Sequence, residues 1–214
     1  AYQHVLFDSV RGVNKEIRSS QSNAELGSGT NGYLSVFDSD GFTTTRGVNT
    51  GNHVNANGSG FVSWNWLAGG TAPAITYTVK VVSDGGNKYR FNDFGTSAVT
   101  LDLQEGGTYT FDQSDSSNSG HPLRFSTTSN GTHGGGSEYT TGVTTTGTPG
   151  SAGAKTVITV ASSAPTLYYY CTQHSGMGGQ ANTNSTFGSS NFGGSIQSNV
   201  SANTTAGFSI VSYT

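Results

Sequence analysis

Short stretches in which apolar and polar residues alternate recur along the chain. The alternation has a period of two, which places every second side chain on the same face of a β-strand. The stretches are rich in Val, Ile, Thr, Tyr and Phe, and they end at turns that contain Gly, Asn or Pro. The clearest of them are residues 75–82, 98–104, 108–113, 123–128 and 156–162. This pattern predicts an all-β protein.

Helical periodicity is weak throughout the chain. The nearest candidate for a helix is residues 15–26, KEIRSSQSNAEL, whose Ser and Asn content is equally typical of a loop. The last residues, 208–214, read FSIVSYT and predict a further strand. A single strand cannot form a domain by itself, so we expect it to pair with the N-terminal segment, with another chain or with residues outside the given sequence.

Composition divides the chain into four parts. Residues 1–70 have turns rich in Asn, Asp and Gly, and they end at LAGGTAPAI. Residues 71–184 hold the compact run of predicted strands. Residues 185–207 are polar and Gly-rich, which predicts a linker, and residues 208–214 form the final predicted strand.

Charge is low, and this restricts the classes of function. Charged residues make up 10% of the chain and the net charge is −3, so a nucleic-acid binder is not expected. No run of about 18 apolar residues predicts a membrane span, and no secretory signal peptide is visible. The chain also lacks a Ser–His–Asp arrangement, a motif of paired carboxylates and a phosphate-binding Gly loop. We therefore do not expect an enzyme.

The chain has one cysteine, which excludes an internal disulfide framework. Its stability must then come from sheet packing, from a metal or from assembly. A β protein that is rich in Gly, Ser, Thr and Asn and poor in charge and sulfur is typical of an extracellular or virion surface. We expect that location.

The single cysteine and the single methionine both lie in the stretch LYYYCTQHSGMGG. Cys171, His174 and Met177 follow one another at intervals of three residues, and His121 opens an earlier predicted strand in SGHPLRF. A thiolate, two imidazoles and a weak thioether are the ligands of a type 1 copper site. In the alternative interpretation, Cys171 is a small buried residue at the end of a strand, and His174 and Met177 merely fill a loop.

Residues 75–183 resemble a cupredoxin, on the motifs EGGTYTF, GHPLRF and LYYYCTQHSGM. The resemblance implies a Greek-key β-sandwich, copper ligation by the four residues above and one-electron transfer. Two features depart from that family. Pro122 follows the first histidine and has no N–H to donate to the ligand sulfur. Residues 126–153 form a long insertion, in which we expect His133 to be a solvated surface residue.

Residues 1–70 carry a second resemblance, on LFDSVRG, DSDGF and FVSWNWLAGG. These motifs are similar to the second half of a concanavalin-like jelly-roll module found in tail and fibre proteins of marine bacteriophages. Residues 201–214 resemble the opening strand of the same module, so the chain is expected to begin halfway through one module. Trp64 and Trp66 would face the same side of a strand, and core packing is favoured over stacking on a sugar.

These observations predict a structural or adhesive component of an extracellular fibre or virion appendage, with a cupredoxin-like module that binds copper. Its expected partners are other copies or modules of the same fibre, through strand pairing of residues 208–214, and a host-surface glycan or receptor. One alternative is a blue-copper electron-transfer or copper-binding protein. Another is a subunit of a bacterial surface filament.

Overall fold

The computed structural model describes most of the chain, namely residues 4–27, 29–38, 41–48, 54–65, 72–184, 188–203 and 208–213. Several positions considered above lie outside these residues, including Trp66, the predicted boundary at 67–71 and parts of the predicted linker.

The described residues form strands and short 3₁₀ segments. The strands are β1 (Val5–Leu6), β2 (Lys15–Arg18), β3 (Leu26–Gly27), β4 (Tyr33–Phe37), β5 (Phe42–Thr45), β6 (Ala74–Ser83), β7 (Asn87–Phe91), β8 (Leu101–Gln104), β9 (Thr108–Asp112), β10 (Leu123–Ser126), β11 (Glu138–Tyr139), β12 (Val143–Thr146), β13 (Lys155–Thr159), β14 (Leu167–Cys171), β15 (Gly179–Asn184), β16 (Ser189–Asn191), β17 (Ser198–Asn203) and β18 (Phe208–Tyr213). The prediction of an all-β protein is confirmed, and each of the five alternating stretches contains a strand. No helix among the described residues is long and apolar enough to cross a membrane.

Two five-stranded sheets form the centre of the molecule. One has the order β11-β10-β14-β15-β8 and the other has the order β12-β13-β9-β6-β7. Neighbouring strands are antiparallel, except that β15 pairs with β8 and β6 pairs with β9 in parallel. The chain crosses repeatedly between the two sheets, so their inner faces share one core.

Aromatic side chains dominate this core. They alternate with outward-facing residues along the strands, as the period-two pattern requires. The fully buried aromatic side chains of this core are Tyr77, Tyr89, Phe91, Tyr109, Phe111, Phe125 and Tyr169. Burial of this much apolar area is the main stabilising contribution available to a chain with no disulfide.

The N-terminal region contains small sheets, β1-β2-β3 and the hairpin β4-β5. The sequence suggested a helix or a loop for residues 15–26. This interpretation is wrong for residues 15–18 and for residue 26, which lie in strands β2 and β3. Within the described residues 4–65, Leu34 is the one hydrophobic side chain that is buried. Trp64 is 71% exposed, so the expectation that it packs in a core is wrong.

The predicted linker differs most from the structure. Residues 189–191 and 198–203 are strands β16 and β17, and β17 pairs along its length with β18. Strand β18 therefore pairs with β17 of its own chain, whereas the sequence suggested the N-terminal segment, another chain or residues outside the given sequence. The N-terminal region contacts β18 through the Arg11 guanidinium, which lies 3.5 Å from the carbonyl oxygen of Val211.

Side chains of the first part of this segment are packed against the sandwich. The Tyr77 hydroxyl donates to the carbonyl of Ser190 at 2.7 Å, and the hydroxyls of Tyr109 and Ser189 are hydrogen-bonded at 2.6 Å. Phe192 is 5% exposed. Its ring lies 5.5 Å from that of Tyr77 and 5.3 Å from that of Phe94, measured between centroids. Sequence reasoning missed this packing because the segment is short of apolar residues, and a single phenylalanine supplies the main anchor.

Replacing Phe192 with alanine is expected to lower the free energy of unfolding by about 3 kcal/mol, because it leaves a cavity between aromatic rings. Urea unfolding of the purified chain measures this cost. Ile196→Ala is the matched control in the same segment, since Ile196 is 57% exposed and its truncation should cost less than about 0.5 kcal/mol. Equal and small costs for both variants would restore the interpretation of this segment as a linker.

Candidate metal centre

Strand pairing brings the two ends of the candidate site together. Cys171 is the last residue of β14, and His121 lies two residues before the start of β10. The two strands are antiparallel, with Leu123 opposite Cys171. The start of β10 therefore lies beside the end of β14, and His121 reaches the cysteine although 50 residues separate them in sequence.

Three ligand atoms converge at this end of the sheet. The Sγ atom of Cys171 lies 3.9 Å from Nδ1 of His121 and 3.8 Å from Nδ1 of His174. The centroids of the two imidazole rings are 4.6 Å apart. One ligand atom from each of the three residues lies within 4.8 Å of the others, so the cluster can hold one metal ion. Cys171 is buried, His121 is half-buried and His174 is exposed.

The spacing of these atoms bears on the coordination angle. A metal bound at about 2.3 Å from sulfur and about 2.0 Å from nitrogen separates the two ligand atoms by about 3.5 Å at a tetrahedral angle and by about 3.7 Å at a trigonal angle. The observed 3.8 and 3.9 Å exceed both values by at most about 0.4 Å. The two sulfur–nitrogen separations are therefore close to those that one bound metal ion requires.

Met177 lies in the same buried core cluster as Cys171 and is 1% exposed. Its carbonyl accepts a hydrogen bond of 3.0 Å from the backbone N–H of Tyr89 in β7. The main chain of Met177 is thus tied to the opposite sheet of the sandwich. Its role as a thioether ligand stays a prediction.

The backbone around His121 is fixed by buried groups. Its carbonyl accepts hydrogen bonds of 2.8 Å from the Tyr89 hydroxyl and of 2.8 Å from Nε2 of Gln113. Its N–H donates to the carbonyl of Asn118 at 2.8 Å. Burial raises the pKa of Tyr89 far above its usual range, so the phenol keeps the proton that it donates.

The electrostatic environment of His121 favours its neutral form. Partial burial, and then the neighbouring His174, lower the pKa of His121. Both effects act against a positive charge on the imidazole. A neutral ring keeps a lone pair for a metal, so the surroundings of His121 suit a ligand at neutral pH.

Pro122 is the position at which the sequence departs from the cupredoxin pattern. It has no N–H to donate to the sulfur of Cys171. Its carbonyl instead accepts a hydrogen bond of 3.2 Å from the N–H of Thr172, the residue that follows the cysteine. Pro122 therefore connects the two ligand-bearing segments through its backbone.

His133 lies at the surface, as the sequence predicted, and it also makes a hydrogen bond that the sequence did not predict. Its side chain is exposed, but Nε2 lies 3.0 Å from the carbonyl oxygen of Cys171. A carbonyl can only accept a hydrogen bond, so Nε2 is the ring nitrogen that carries the hydrogen. His133 is thus hydrogen-bonded to the main chain of Cys171.

Sequence reasoning missed Asn130 altogether. The side chain of Asn130 bonds to two residues of the loop that carries His174: its Nδ2 donates to Oγ of Ser175 and its Oδ1 accepts from the N–H of Gly176, both at 2.8 Å. Nothing in the sequence distinguishes Asn130 from the many other asparagines, because its partners lie 45 and 46 residues further along the chain.

Comparison with known proteins gives one family match. Residues 1–103 match a domain of unknown function, DUF7483. The matched residues include β1 to β7 and end within β8, and His121, Cys171, His174 and Met177 lie beyond them. No curated protein matches the chain. No solved structure matches it either.

Proposed function

We propose that the chain binds one copper ion through Cys171, His121 and His174, with Met177 as a weak fourth ligand. The convergence of the Cys171 sulfur and of two imidazole nitrogens on one point is the observation that carries this proposal. Bound copper would supply a centre that accepts and releases one electron. The residues of the chain hold the ligands in place and shield the sulfur from solvent.

Copper suits this ligand set better than the common alternatives. Ca²⁺ and Mg²⁺ require oxygen ligands, whereas the cluster offers sulfur and nitrogen. Structural zinc sites usually have four strong ligands, whereas the cluster among the described residues offers three. A cluster of two imidazoles and a thiolate, with a buried thioether three residues from the second imidazole, favours copper.

The metal would also stabilise the fold. Cys171 is a free cysteine and the chain has no other, so no disulfide connects the two sheets. The ligands come from the segment before β10 and from the loop after β14. A metal that binds only the folded chain adds its binding energy to folding. We propose that this contribution suits a module exposed to an extracellular environment.

The wider role that we propose is that of a structural or adhesive component of an extracellular fibre or virion appendage. The resemblance of residues 1–70 and 201–214 to a phage fibre module supports it. Exposed apolar side chains in the N-terminal region, among them Val48 (87%), Val62 (76%) and Trp64 (71%), are also expected of a module that contacts others. Immunogold labelling with antibodies against the chain would distinguish a virion appendage from a bacterial surface filament.

A second candidate function is electron transfer. The observation that favours it is the exposure of His174, since an imidazole that is both a ligand and solvent-exposed offers a partner a direct route to the metal. Reversible reduction of the copper-loaded chain at an electrode, with rapid exchange of electrons, would support this candidate.

Titration of the purified chain with Cu(II) is expected to give an intense visible absorption band that saturates at one copper per chain. Because copper binds the folded state, thermal unfolding should move to higher temperature, by an amount that corresponds to about 4 kcal/mol when free copper is about 1,000 times its Kd. Absorption, electron paramagnetic resonance and calorimetry measure these effects.

The variant His4→Ala tests whether copper binds to any exposed histidine instead of to the cluster. His4 is exposed and does not belong to the cluster. This variant should titrate as the unaltered chain does. A chain that shows neither the band nor a change in thermal stability would contradict the copper proposal. The loop from Cys171 to Met177 would then be an inherited scaffold in a purely structural module.

A further inference from the structure

Two loops contact one another beside the candidate metal centre. The ligand loop comprises residues 171–177 and carries three of the proposed ligands. The second loop, residues 129–136, belongs to the insertion and contains the 3₁₀ segment Gly131–Gly134. We call it the clamp loop.

We propose that the clamp loop holds the ligand loop in its metal-binding conformation before any metal is present, and that Asn130 is the positioning residue. This inference rests on the proposed copper site for its effect on copper. The conformation of the metal-free loop can be tested without that assumption.

The contacts of Asn130 are placed where they constrain the ligands most. Ser175 and Gly176, which its amide group bonds, are the two residues between His174 and Met177. The amide group of Asn130 both donates and accepts a hydrogen bond. The side chain therefore fixes the orientation of this turn as well as the distance between the turn and the clamp loop. One side chain therefore restrains two proposed ligands at once.

The backbone of Asn130 explains why this residue type suits the position. Its φ is 61° and its ψ is 15°, in the left-handed region that asparagine tolerates better than other non-glycine residues. That conformation starts the turn of the clamp loop. Asparagine therefore meets the backbone requirement and supplies the amide group.

The clamp loop is itself held against β14, so the position of Asn130 is fixed. A Cβ atom at Gly131 would overlap the ring of Tyr170, so the glycine permits the loop to lie directly on β14. Backbone hydrogen bonds close the loop, from Gly131 to the carbonyl of Thr128 at 2.9 Å and from Gly136 to the carbonyl of Gly131 at 3.0 Å. His133 adds a second contact with β14 through the Cys171 carbonyl.

The opposite side of the ligand loop is held by β7. The Lys88 ammonium donates to the carbonyl of Gly176, and the N–H of Tyr89 donates to the carbonyl of Met177. Gly176 is thus bound on both sides, through its N–H by Asn130 and through its carbonyl by Lys88. Removing the Asn130 amide group leaves Gly176 held through its carbonyl by Lys88 alone, which should let the turn between His174 and Met177 move.

The test is the variant Asn130→Gly, which keeps the left-handed backbone conformation and removes the amide group. In the metal-free chain, hydrogen exchange at the Gly176 amide is expected to rise about tenfold, as loss of roughly one hydrogen bond predicts. Copper affinity is expected to fall about 10- to 100-fold, as for other groups that orient ligands. The copper hyperfine splitting in electron paramagnetic resonance should also change.

Two variants serve as controls. Asn92→Gly also replaces a left-handed asparagine, with φ of 50°, whose side chain bonds Thr78 and not the ligand loop. It should alter neither exchange at Gly176 nor the copper spectrum. Asn130→Asp keeps an oxygen that accepts from the Gly176 N–H and should restore most of the protection at that amide.

The outcomes separate the two proposals. Unchanged exchange at Gly176 and an unchanged copper spectrum in Asn130→Gly would overturn the role of the clamp loop. A loss of overall stability with an unaltered copper spectrum would also overturn that role, because this is the result expected if Asn130 only stabilises the fold. A chain that binds no copper would end the copper proposal alone, and hydrogen exchange of the metal-free chain would still decide whether Asn130 holds the loop.

Discussion

Replacing Cys171 with serine is expected to abolish the thiolate-to-copper absorption band. The serine hydroxyl stays protonated at neutral pH and is a hard oxygen donor, so it cannot replace the soft sulfur ligand. Affinity for copper should fall by more than the roughly 10- to 100-fold that loss of an outer hydrogen bond costs. Competition with a chelator of known affinity measures the loss.

Met177→Leu is the matched variant for this experiment. Leucine has a similar volume, so the substitution in a buried position should cost less than about 1.5 kcal/mol of stability. The band should persist because the trigonal ligands remain, while the reduction potential should change if the thioether touches the metal. A Cys171→Ser chain that keeps both the band and the affinity would show that copper binds elsewhere.

Replacing Phe91 with alanine is expected to lower the free energy of unfolding by about 4–5 kcal/mol, the upper end of the range for buried aromatic residues. Phe91 is fully buried. Its ring lies edge-on to those of Phe111 and Tyr169, at centroid distances of 5.6 and 5.2 Å, and it stacks on Phe192 at 6.1 Å. The variant loses these contacts and leaves a cavity between the two sheets.

Phe61→Ala is the control, because it removes the same ring from a position that is 49% exposed. Its cost should be within about 0.5 kcal/mol. Chemical unfolding of both variants, followed by tyrosine and tryptophan fluorescence, measures the difference. Similar costs at the two positions would contradict the placement of the core between the five-stranded sheets.

The predicted fold class depends on information that is local in the sequence. Alternation along residues 75–82 predicted β6, and the same pattern predicted β9, β10 and β13. A strand with one buried face must place an apolar residue at every second position. Residues 15–18 and 189–191 are strands with polar sequences, and they could not be recognised because little or no alternating apolar pattern marks them.

The candidate site was also partly accessible from sequence. Cys171, His174 and Met177 lie within seven consecutive residues, so their spacing and their types were visible at once. His121 required a resemblance to a known family. His121 lies close to Cys171 because β10 and β14 pair with Leu123 opposite Cys171. This register joins strands that are far apart in the sequence, so it could not be read from either segment alone.

The tertiary structure alone decided which residues support the site. Asn130 and His133 belong to a polar, Gly-rich insertion that the sequence could not connect to any chemistry. They reach Gly176 and Cys171 because the insertion folds back over β14, and Gly131 permits that close approach. The sequence by itself determined the strands that carry an alternating apolar pattern and the types of the candidate ligands, because both are encoded over a few neighbouring residues. The supports of the ligand loop depend on contacts between residues that are far apart in the chain, which only the packed fold brings together.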